Sequence, residues 1–267
     1  MADLKELHAR FPKYVYRKSP ASQVLFECKV PILDLSAKYV SAPDGTRTLS
    51  NHLGTFETPD ALVAAYYRQL GYEVMECESR PFQALFSIFM CLLIQDPADD
   101  LQRFVGFGRR SPPVGDESPQ IWTFLPQDFG RPGYATRRAD AIANHFSMLE
   151  EQLDWLFNYW LEPSSDLREY LWAHTPRDVE CARRLAKVLS ERTLLKILRY
   201  LVEAYWARYT GWPDLFLVKG DSYLFAEVKG SGDTLSEDQK RWVRDNSNML
   251  ELPFTLVRVH RECRRSD

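Results

Sequence analysis

The chain has few cysteines and histidines, and neither residue type is spaced as a zinc site or a disulfide framework requires. Its five cysteines are scattered along 267 residues without a C-x-x-C pair, and its five histidines form no H-E-x-x-H motif. Regular spacing of these residues is the sequence signature of zinc sites and disulfide-stabilised folds. The sequence therefore predicts neither, and an odd number of dispersed cysteines is typical of a protein that stays reduced in the cytoplasm.

Long apolar runs and an excess of positive charge are also missing. The most apolar segment, residues 84–94, is too short to cross a membrane, and the N-terminus lacks the apolar stretch of a secretory signal peptide. We therefore expect a protein that neither enters a membrane nor is secreted. With 34 Lys and Arg against 37 Asp and Glu, the net charge is −3, so any nucleic-acid-binding surface must be a local basic patch.

Residues 211–240 are the most informative segment, because they predict a short β-hairpin with charged residues at one end. Residues 215–218 and 223–228 are rich in Val, Leu, Phe and Tyr, as strands are. Gly220 and Asp221, which lie between them, are typical of a two-residue hairpin loop. The segment therefore predicts two antiparallel strands joined by a tight turn.

The predicted turn also sets the register of the two strands. A two-residue loop pairs Lys219 with Ser222 and thereby puts Asp214 opposite Glu227; a four-residue loop gives the same register, and a three-residue loop would shift it. Partners across a strand pair hold their Cβ atoms about 4.5–5.5 Å apart on one face. Lys229 shares the face of Glu227 because side chains alternate along a strand. The hairpin thus gathers two carboxylates and one ammonium group.

This group of charges has a chemical and a structural interpretation. Two facing carboxylates repel each other unless a cation neutralises them, and hard divalent metal ions prefer oxygen ligands. The pair therefore predicts a site for Mg²⁺ or Mn²⁺, with the lysine beside a phosphate group or an attacking water molecule. The structural alternative is that Pro213-Asp214 only begins a strand and that Glu227 and Lys229 share one solvent-facing surface.

The order Pro213-Asp214 followed by Glu227-Val228-Lys229 resembles the motif of the PD-(D/E)XK nuclease superfamily. The flanking residues resemble its VRR-NUC branch, and they are Gly211, Gly230, Asp233, Leu235, Ser236 and Gln239. A looser likeness extends over residues 58–260. Within it, residues 71–96 follow a Tyr-Tyr helix and include a Phe-rich one, and they resemble the nuclease domain of the Fanconi-associated nuclease family.

The resemblance implies an α/β fold with a restriction-endonuclease-like core, in which a small mixed sheet is flanked by helices and accompanied by a large helical insertion. We expect a VRR-NUC-type nuclease domain at residues 56–262, including the helical insertion at residues 97–208. Residues 1–55 would form an N-terminal appendage of unknown role. Before the insertion, Thr58 and Pro59 predict the start of a helix, and residues 82–95 predict a helix that is apolar nearly all round and therefore buried.

The resemblance also implies roles for individual residues. Asp214, Glu227 and Lys229 would be catalytic, and the metal shell would consist of Glu78, Asp214, Glu227 and the backbone carbonyl of Val228, with Mg²⁺ or Mn²⁺ as cofactor. The residues alone leave the third acidic ligand open, and the candidates are Glu57, Asp60, Glu73, Glu76 and Glu78. The resemblance favours Glu78, which precedes the apolar helix. Glu76 comes second, because an alternating strand would put it on the same face.

A basic segment before the hairpin is the candidate surface for a DNA backbone. Residues 183–208 carry many more basic than acidic side chains, and the predicted DNA-binding residues are Arg183, Arg184, Lys187, Lys196, Arg199 and, after the hairpin, Gln239. The alternative for the basic side chains is an ordinary solvated helix face. Gln239 has its own alternative, since it occupies the capping-box position of a helix that Ser236 begins.

The function implied is that of a metal-dependent DNA nuclease that hydrolyses phosphodiester bonds. Flapped or branched duplex DNA would be its substrate and partner, exonuclease activity would accompany the endonuclease activity, and DNA repair or processing would be its setting. Such an enzyme would be cytoplasmic or nucleoid-associated. Three alternatives stay open: a Holliday-junction resolvase, a restriction or defence nuclease, and a DNA-binding scaffold without turnover.

Overall fold

The computed structural model describes residues 20–41, 47–107, 121–161 and 175–262. The chain divides into two compact units: the first combines the part up to Glu78 with the part from Gly211 onward, and the second spans residues 79–210. No helix within the described ranges is long and apolar enough to cross a membrane. The predicted hairpin and its charged residues belong to the first unit.

The described residues form nine strands, numbered in chain order. They are β1 (Ile32–Ser41), β2 (Arg47–Asn51), β3 (Gly54–Phe56), β4 (Glu73–Glu76), β5 (Gln102–Phe107), β6 (Ile121–Pro126), β7 (Leu215–Lys219), β8 (Ser222–Lys229) and β9 (Phe254–Arg261).

The same residues form nine α-helices. They are α1 (Pro20–Glu27), α2 (Pro59–Gln69), α3 (Arg80–Ile94), α4 (Pro132–Arg137), α5 (Ala139–Leu161), α6 (Pro176–Val188), α7 (Glu191–Glu203), α8 (Tyr205–Arg208) and α9 (Glu237–Asp245), the last of which continues into a π-helical turn at Asn246–Leu250.

The first unit is built on a mixed seven-stranded sheet in the order β3-β2-β1-β9-β8-β7-β4. Strands β1, β9 and β8 run parallel to their neighbours in this group, and the other adjacent pairs are antiparallel. Strand β7 therefore lies between its hairpin partner β8 and the edge strand β4. This arrangement puts the residue before β7 next to the ends of both β8 and β4.

The predicted hairpin is present with the predicted register. Lys219 pairs with Ser222 and Leu215 pairs with Ala226, so the ladder stops one residue short of Asp214 and Glu227. Gly220 has φ of 57°, a left-handed conformation that glycine adopts without strain. The expectation that the chain turns within two residues is therefore confirmed.

Helix α2 closes one face of the sheet. The Thr58 hydroxyl accepts a hydrogen bond from the Ala61 N–H at 3.1 Å, and Pro59 occupies the first turn, as the sequence predicts. A cluster of buried apolar residues fills the space between this helix and the sheet. Its strand residues alternate along their strands, and the cluster comprises Ala37, Leu49, Leu62, Val63, Tyr67, Leu215, Leu217, Ala226, Val228, Val257 and Val259. On the strands, residues with intervening numbers, such as Phe216 and Phe225, stack with ring centroids 5.0 Å apart. Alternation thus makes β7 and β8 apolar on both faces, as centrally placed strands are.

The second unit is organised around α3. Thirteen of its fifteen residues are buried, which agrees with the predicted all-round apolar helix, and α5, α6 and α7 pack against it. A two-stranded antiparallel sheet, β5–β6, also lies in this unit. Arg137 binds Asp99 and Asp128 in ion pairs of 2.8 Å and 2.7 Å, and these pairs tie the start of β5 to the end of β6 and to α4.

The predicted domain boundaries stay a prediction, and the two compact units divide the chain at other positions. Within the described part of residues 1–55, α1 packs against α9, and β1 pairs with β9 inside the main sheet. Residues 97–208, predicted as a helical insertion, include the β5–β6 sheet, and the second unit also takes in α3. The physical reason is that the pairing of β1 with β9 joins residues more than 200 positions apart, which no local pattern reveals.

Candidate active site

Asp214 accepts backbone hydrogen bonds at both its carbonyl and its side chain. Its carbonyl accepts the Cys77 N–H at 2.7 Å, just beyond the end of β4, and its Oδ2 accepts the Val228 N–H at 2.7 Å. The residues before it are equally constrained, since Trp212 is buried and packs against Trp242 of α9 with ring centroids 5.7 Å apart. The carboxylate therefore projects from a fixed backbone at the point where β4, β7 and β8 meet.

Glu227 is the most enclosed charged group of the site, with 2% of its surface exposed. Its Oε1 accepts two hydrogen bonds, one from Lys229 Nζ at 2.7 Å and one from Gln239 Nε2 at 2.5 Å. Its carboxyl also lies within hydrogen-bonding reach of Asp214. The structure thus brings together Asp214, Glu227 and Lys229, as the hairpin register predicts.

Gln239 takes part in two contacts at once. Its Oε1 accepts the Ser236 N–H at 3.0 Å, while the Ser236 hydroxyl accepts the Gln239 N–H at 3.2 Å, which completes the capping box at the start of α9. Its Nε2 donates to Glu227. The capping role considered from the sequence is therefore present, and the same side chain also contacts the site; its predicted DNA contact stays a prediction.

Burial and nearby carboxyl groups raise the pKa values of both carboxyl groups of the site. Burial, together with the nearby charge of Asp60, raises the pKa of Asp214 to about 6, although the Val228 N–H and Lys229 oppose that rise. Burial first and Asp214 second raise the pKa of Glu227 well above its usual range. One ammonium group does not neutralise two adjacent carboxylates that are wholly or partly buried, so the site favours either a proton or a further cation.

Further acidic residues surround this pair. Asp60, in the first turn of α2, has a pKa raised by burial and then by the charges of Glu76 and Asp233. The start of α2 lies close to the site because a Cβ at Gly230 would come within 3.0 Å of Pro59. Asp60 was one of five acidic candidates in the sequence, and only the packing of α2 against β7 and β8 singles it out.

Glu76 and Glu78 occupy different backbone conformations. Strand β4 ends at Glu76, and Glu78 is an exposed residue with φ of 47°, in the left-handed region. The alternation that would put both on one face therefore does not continue to Glu78. Glu76 is the one whose charge acts on Asp60, and the assignment of Glu78 to the metal shell stays a prediction.

The donor set fits a divalent metal ion. Asp214 and Glu227 offer hard oxygen ligands at one point. Burial raises the pKa values of both carboxyl groups, and a bound cation would favour their charged forms. Across the described ranges, no group of three or more His, Cys, Asp or Glu side chains is already assembled as a metal site. A metal ion held here would therefore rest on two carboxylates and the Val228 carbonyl, with other positions completed by a further acidic side chain, water or substrate.

The raised pKa of Asp214 makes a prediction about stability without metal. A carboxyl with a raised pKa binds its proton in the folded state at pH values where the unfolded chain has lost it, so stability falls as the pH rises from roughly 4 to 6. A shift from near 4 to about 6 corresponds to about 3 kcal/mol. In EDTA, Asp214→Asn should be more stable than wild type at about pH 7.5 and should lose that advantage near pH 4, as measured by urea unfolding. A constant difference at both pH values would contradict the raised pKa.

The basic residues predicted to bind DNA lie in the second unit. Arg183, Arg184 and Lys187 are on α6, and Lys196 and Arg199 are on α7. Arg199 lies over the Phe146 ring at 4.1 Å and forms an ion pair of 3.7 Å with Glu150. These residues thus belong to a different unit from Asp214, and their role in DNA binding stays a prediction.

Known proteins resemble this chain both in sequence and in fold. The family model described as the VRR-NUC domain matches residues 148–261. A Fanconi-associated nuclease 1 homolog of Dictyostelium discoideum is 27% identical over 198 residues, which are 67% of this chain and 17% of that protein. The corresponding homolog of Caenorhabditis elegans is 31% identical over 126 residues, which are 44% of this chain and 14% of that protein.

Solved structures of paFAN1 share the fold. In the complex of paFAN1 with 2-nucleotide 5′-flap DNA, the match covers 88% of this chain and 38% of that chain, with 18% identity and a TM-score of 0.61. The complex with a 1-nucleotide 5′ flap gives 20% identity and a TM-score of 0.58. The chain therefore spans less than a fifth of the length of these curated relatives and under two fifths of the length of these solved chains.

These matches confirm the family resemblance and the fold that it implies. The restriction-endonuclease-like α/β fold is confirmed by the likeness to paFAN1, and the resemblance read from residues 211–240 is confirmed by the family model that covers them. The sequence of residues 148–261 thus matches the VRR-NUC domain, and the chain is similar to the Fanconi-associated nuclease 1 homologs.

Proposed function

We propose that this protein is a divalent-metal-dependent DNA nuclease that cleaves phosphodiester bonds in flapped or branched duplex DNA, and that it acts inside the cell in DNA repair or processing. The observation that carries the proposal is the pairing of the buried Glu227 carboxyl with the partly buried Asp214 carboxyl, beside the ammonium group of Lys229. A buried acidic pair is costly for folding, and a cost of this kind is typical of a functional site. The likeness to paFAN1 bound to 5′-flap DNA supports this class of substrate.

Each residue of the group has a distinct part in this chemistry. Asp214 and Glu227, with the Val228 carbonyl, would hold Mg²⁺ or Mn²⁺. The chemistry supplied by such an ion is polarisation of the scissile phosphate and a lower pKa for a bound water. Lys229 is 16% exposed at its side chain and can hold a water molecule or a phosphate oxygen, where it would neutralise developing negative charge. Glu78, favoured by the resemblance, or Glu76, favoured by the end of β4, would add a further carboxylate.

Removing Lys229 should separate cleavage from metal binding. We expect Lys229→Met to lower the cleavage rate by about 10²–10³-fold, the usual loss when one donor to a transition-state oxyanion is removed. Mn²⁺ affinity should stay the same or rise, because Glu227 loses a neutralising partner. The matched control is Lys219→Met at the end of β7, whose Nζ binds the Leu70 carbonyl at 2.7 Å. Equal losses of metal affinity and cleavage in Lys229→Met would contradict its assignment.

The substrate is tested by comparing DNA structures under controlled metal conditions. Purified protein is incubated with end-labelled 5′-flap, four-way-junction and plain duplex DNA, in Mg²⁺, in Mn²⁺ and in EDTA. We expect cutting of the flap in either metal and none in EDTA, because the carboxylate pair cannot act on a phosphate without a cation between them. Product lengths would show whether exonuclease activity follows the first cut.

Other outcomes would select other functions. Preferential cutting of the four-way junction would support a resolvase, and sequence- or modification-dependent cutting of plain duplex would support a restriction or defence nuclease. Metal-dependent DNA binding without any cutting would support a scaffold. Cutting in EDTA at the rate seen in Mg²⁺ would overturn the proposal.

A further inference from the structure

Glu227 accepts hydrogen bonds from two other side chains on one oxygen. Lys229 Nζ and Gln239 Nε2 bind Oε1 at 2.7 Å and 2.5 Å, in a setting where only 2% of the residue is exposed. An amide that donates to one oxygen of a ligating carboxylate fixes the rotation of that carboxylate and leaves the other oxygen for the metal ion. Lys229 alone could not fix this rotation so well, because its ammonium group sits on a flexible stem.

The amide of Gln239 is itself fixed in orientation. Its Oε1 accepts the Ser236 N–H, which directs Nε2 toward Glu227 and excludes the flipped amide. The peptide bond that leads to Gln239 is also confined, because Gly211 packs directly on the backbone of Asp238 and Gln239. Helix α9 is further held by Trp242, which is buried between Trp212 and Phe254.

From these contacts we infer that Gln239 is a positioning residue for the metal site: the capping box of α9 orients its amide, and its amide orients the Glu227 carboxylate. This inference rests on the proposed function, because it assigns Gln239 a part in metal binding. The residue acts through Glu227 and need not touch DNA or the metal ion. A role confined to capping would require only its Oε1.

Two variants separate the capping role from the positioning role. Ser236→Ala removes one hydrogen bond of the capping box and keeps the Gln239 contact with Glu227, whereas Gln239→Met removes both functions at similar side-chain length. Mn²⁺ affinity is measured from the free-ion signal in electron paramagnetic resonance, and melting temperatures report stability. We expect Gln239→Met to weaken Mn²⁺ binding by about 10–100-fold and Ser236→Ala to change it by less than about threefold, with both variants folded. Equal Mn²⁺ affinities in the two variants would overturn the inference.

A measurement on metal-free protein makes the outcome independent of the proposed function. In ¹H–¹⁵N spectra, the side-chain amide of Gln239 is identified by its loss in Gln239→Met, and we expect one of its protons to be shifted downfield by the short bond to Glu227. Glu227→Ala should abolish that shift, and Asp221→Ala, in the exposed hairpin turn, should leave it unchanged. An amide signal that is insensitive to Glu227→Ala would overturn the inference. A shifted amide in a wild-type protein that binds no Mn²⁺ would support the hydrogen bond and overturn the proposed function instead.

Discussion

Asp214→Asn is expected to lower metal-dependent DNA cleavage by about 10³-fold or more, since the loss of a proposed metal ligand would remove several kcal/mol of transition-state stabilisation. The fold should persist, because the asparagine carbonyl can still accept the Val228 N–H that Asp214 Oδ2 accepts at 2.7 Å. Relief of repulsion with Glu227 should even stabilise the metal-free protein at neutral pH. Cleavage is measured on end-labelled 5′-flap DNA under single-turnover conditions.

The matched control for this variant is Asp221→Asn. Asp221 lies in the exposed turn of the same hairpin, next to Gly220, and asparagine suits such a turn as well as aspartate does. We expect it to cut at the wild-type rate. If the Asp214→Asn protein binds Mn²⁺ and cleaves DNA as the wild type does, Asp214 is not part of the catalytic site. The carboxylate pair would then have no catalytic role.

Gly211→Ala is expected to cause the largest loss of stability. Gly211 has φ of 87°, and a Cβ at this position would lie 2.5 Å from both the carbonyl carbon and the carbonyl oxygen of Asp238. These are backbone atoms at the start of α9, so no side chain can move aside. Strain of this kind costs about 2–4 kcal/mol, which should lower the melting temperature by about 10 °C.

Gly232→Ala provides the control for the effect of the backbone angle alone. Gly232 has a similar φ of 96°, and a Cβ there would have no neighbour within 4 Å. Its replacement should cost only about 1 kcal/mol, the penalty of a left-handed residue that bears a side chain. Equal losses in the two variants would show that the close approach to Asp238 does not matter. A selective loss in Gly211→Ala would support the tight packing of residues 211–214 on α9, which also holds Gln239.

Local sequence was sufficient to predict the hairpin and its register, because the residues that determine them lie within one short segment. Gly220 fixes the turn, the turn fixes the register, and the register brings Asp214 near Glu227. Helix starts were also predictable, since Thr58 and Ser236 cap α2 and α9 with their own side chains. The meeting of Asp214, Glu227 and Lys229 follows from these short-range rules, and their catalytic roles stay predictions.

Contacts between residues far apart in the chain could not be predicted from local sequence in the same way. Strand β1 is parallel to β9, and its pairing partners lie more than 200 positions away, so the sequence of residues 32–41 carries no local sign of its place in the sheet. The positions of the acidic residues around Asp214 likewise depend on contacts between distant parts of the chain. Asp60 reaches the site through the packing of α2, and the conformation of Glu78 interrupts the alternation that its neighbours would suggest.

The sequence by itself determined which charged groups meet: a Pro-Asp before one strand and a Glu-x-Lys at the end of its hairpin partner predict two carboxylates and one ammonium group, and the metal ion stays a prediction. Only the tertiary structure decided how far these groups are buried, which raises the pKa of Asp214 to about 6. It also decided that Gln239 caps α9 and binds Glu227 with one side chain. The reason is that pairing within a hairpin follows from adjacent residues, whereas pairing between distant strands, burial and contacts between elements arise only when the whole sheet and its helices pack together.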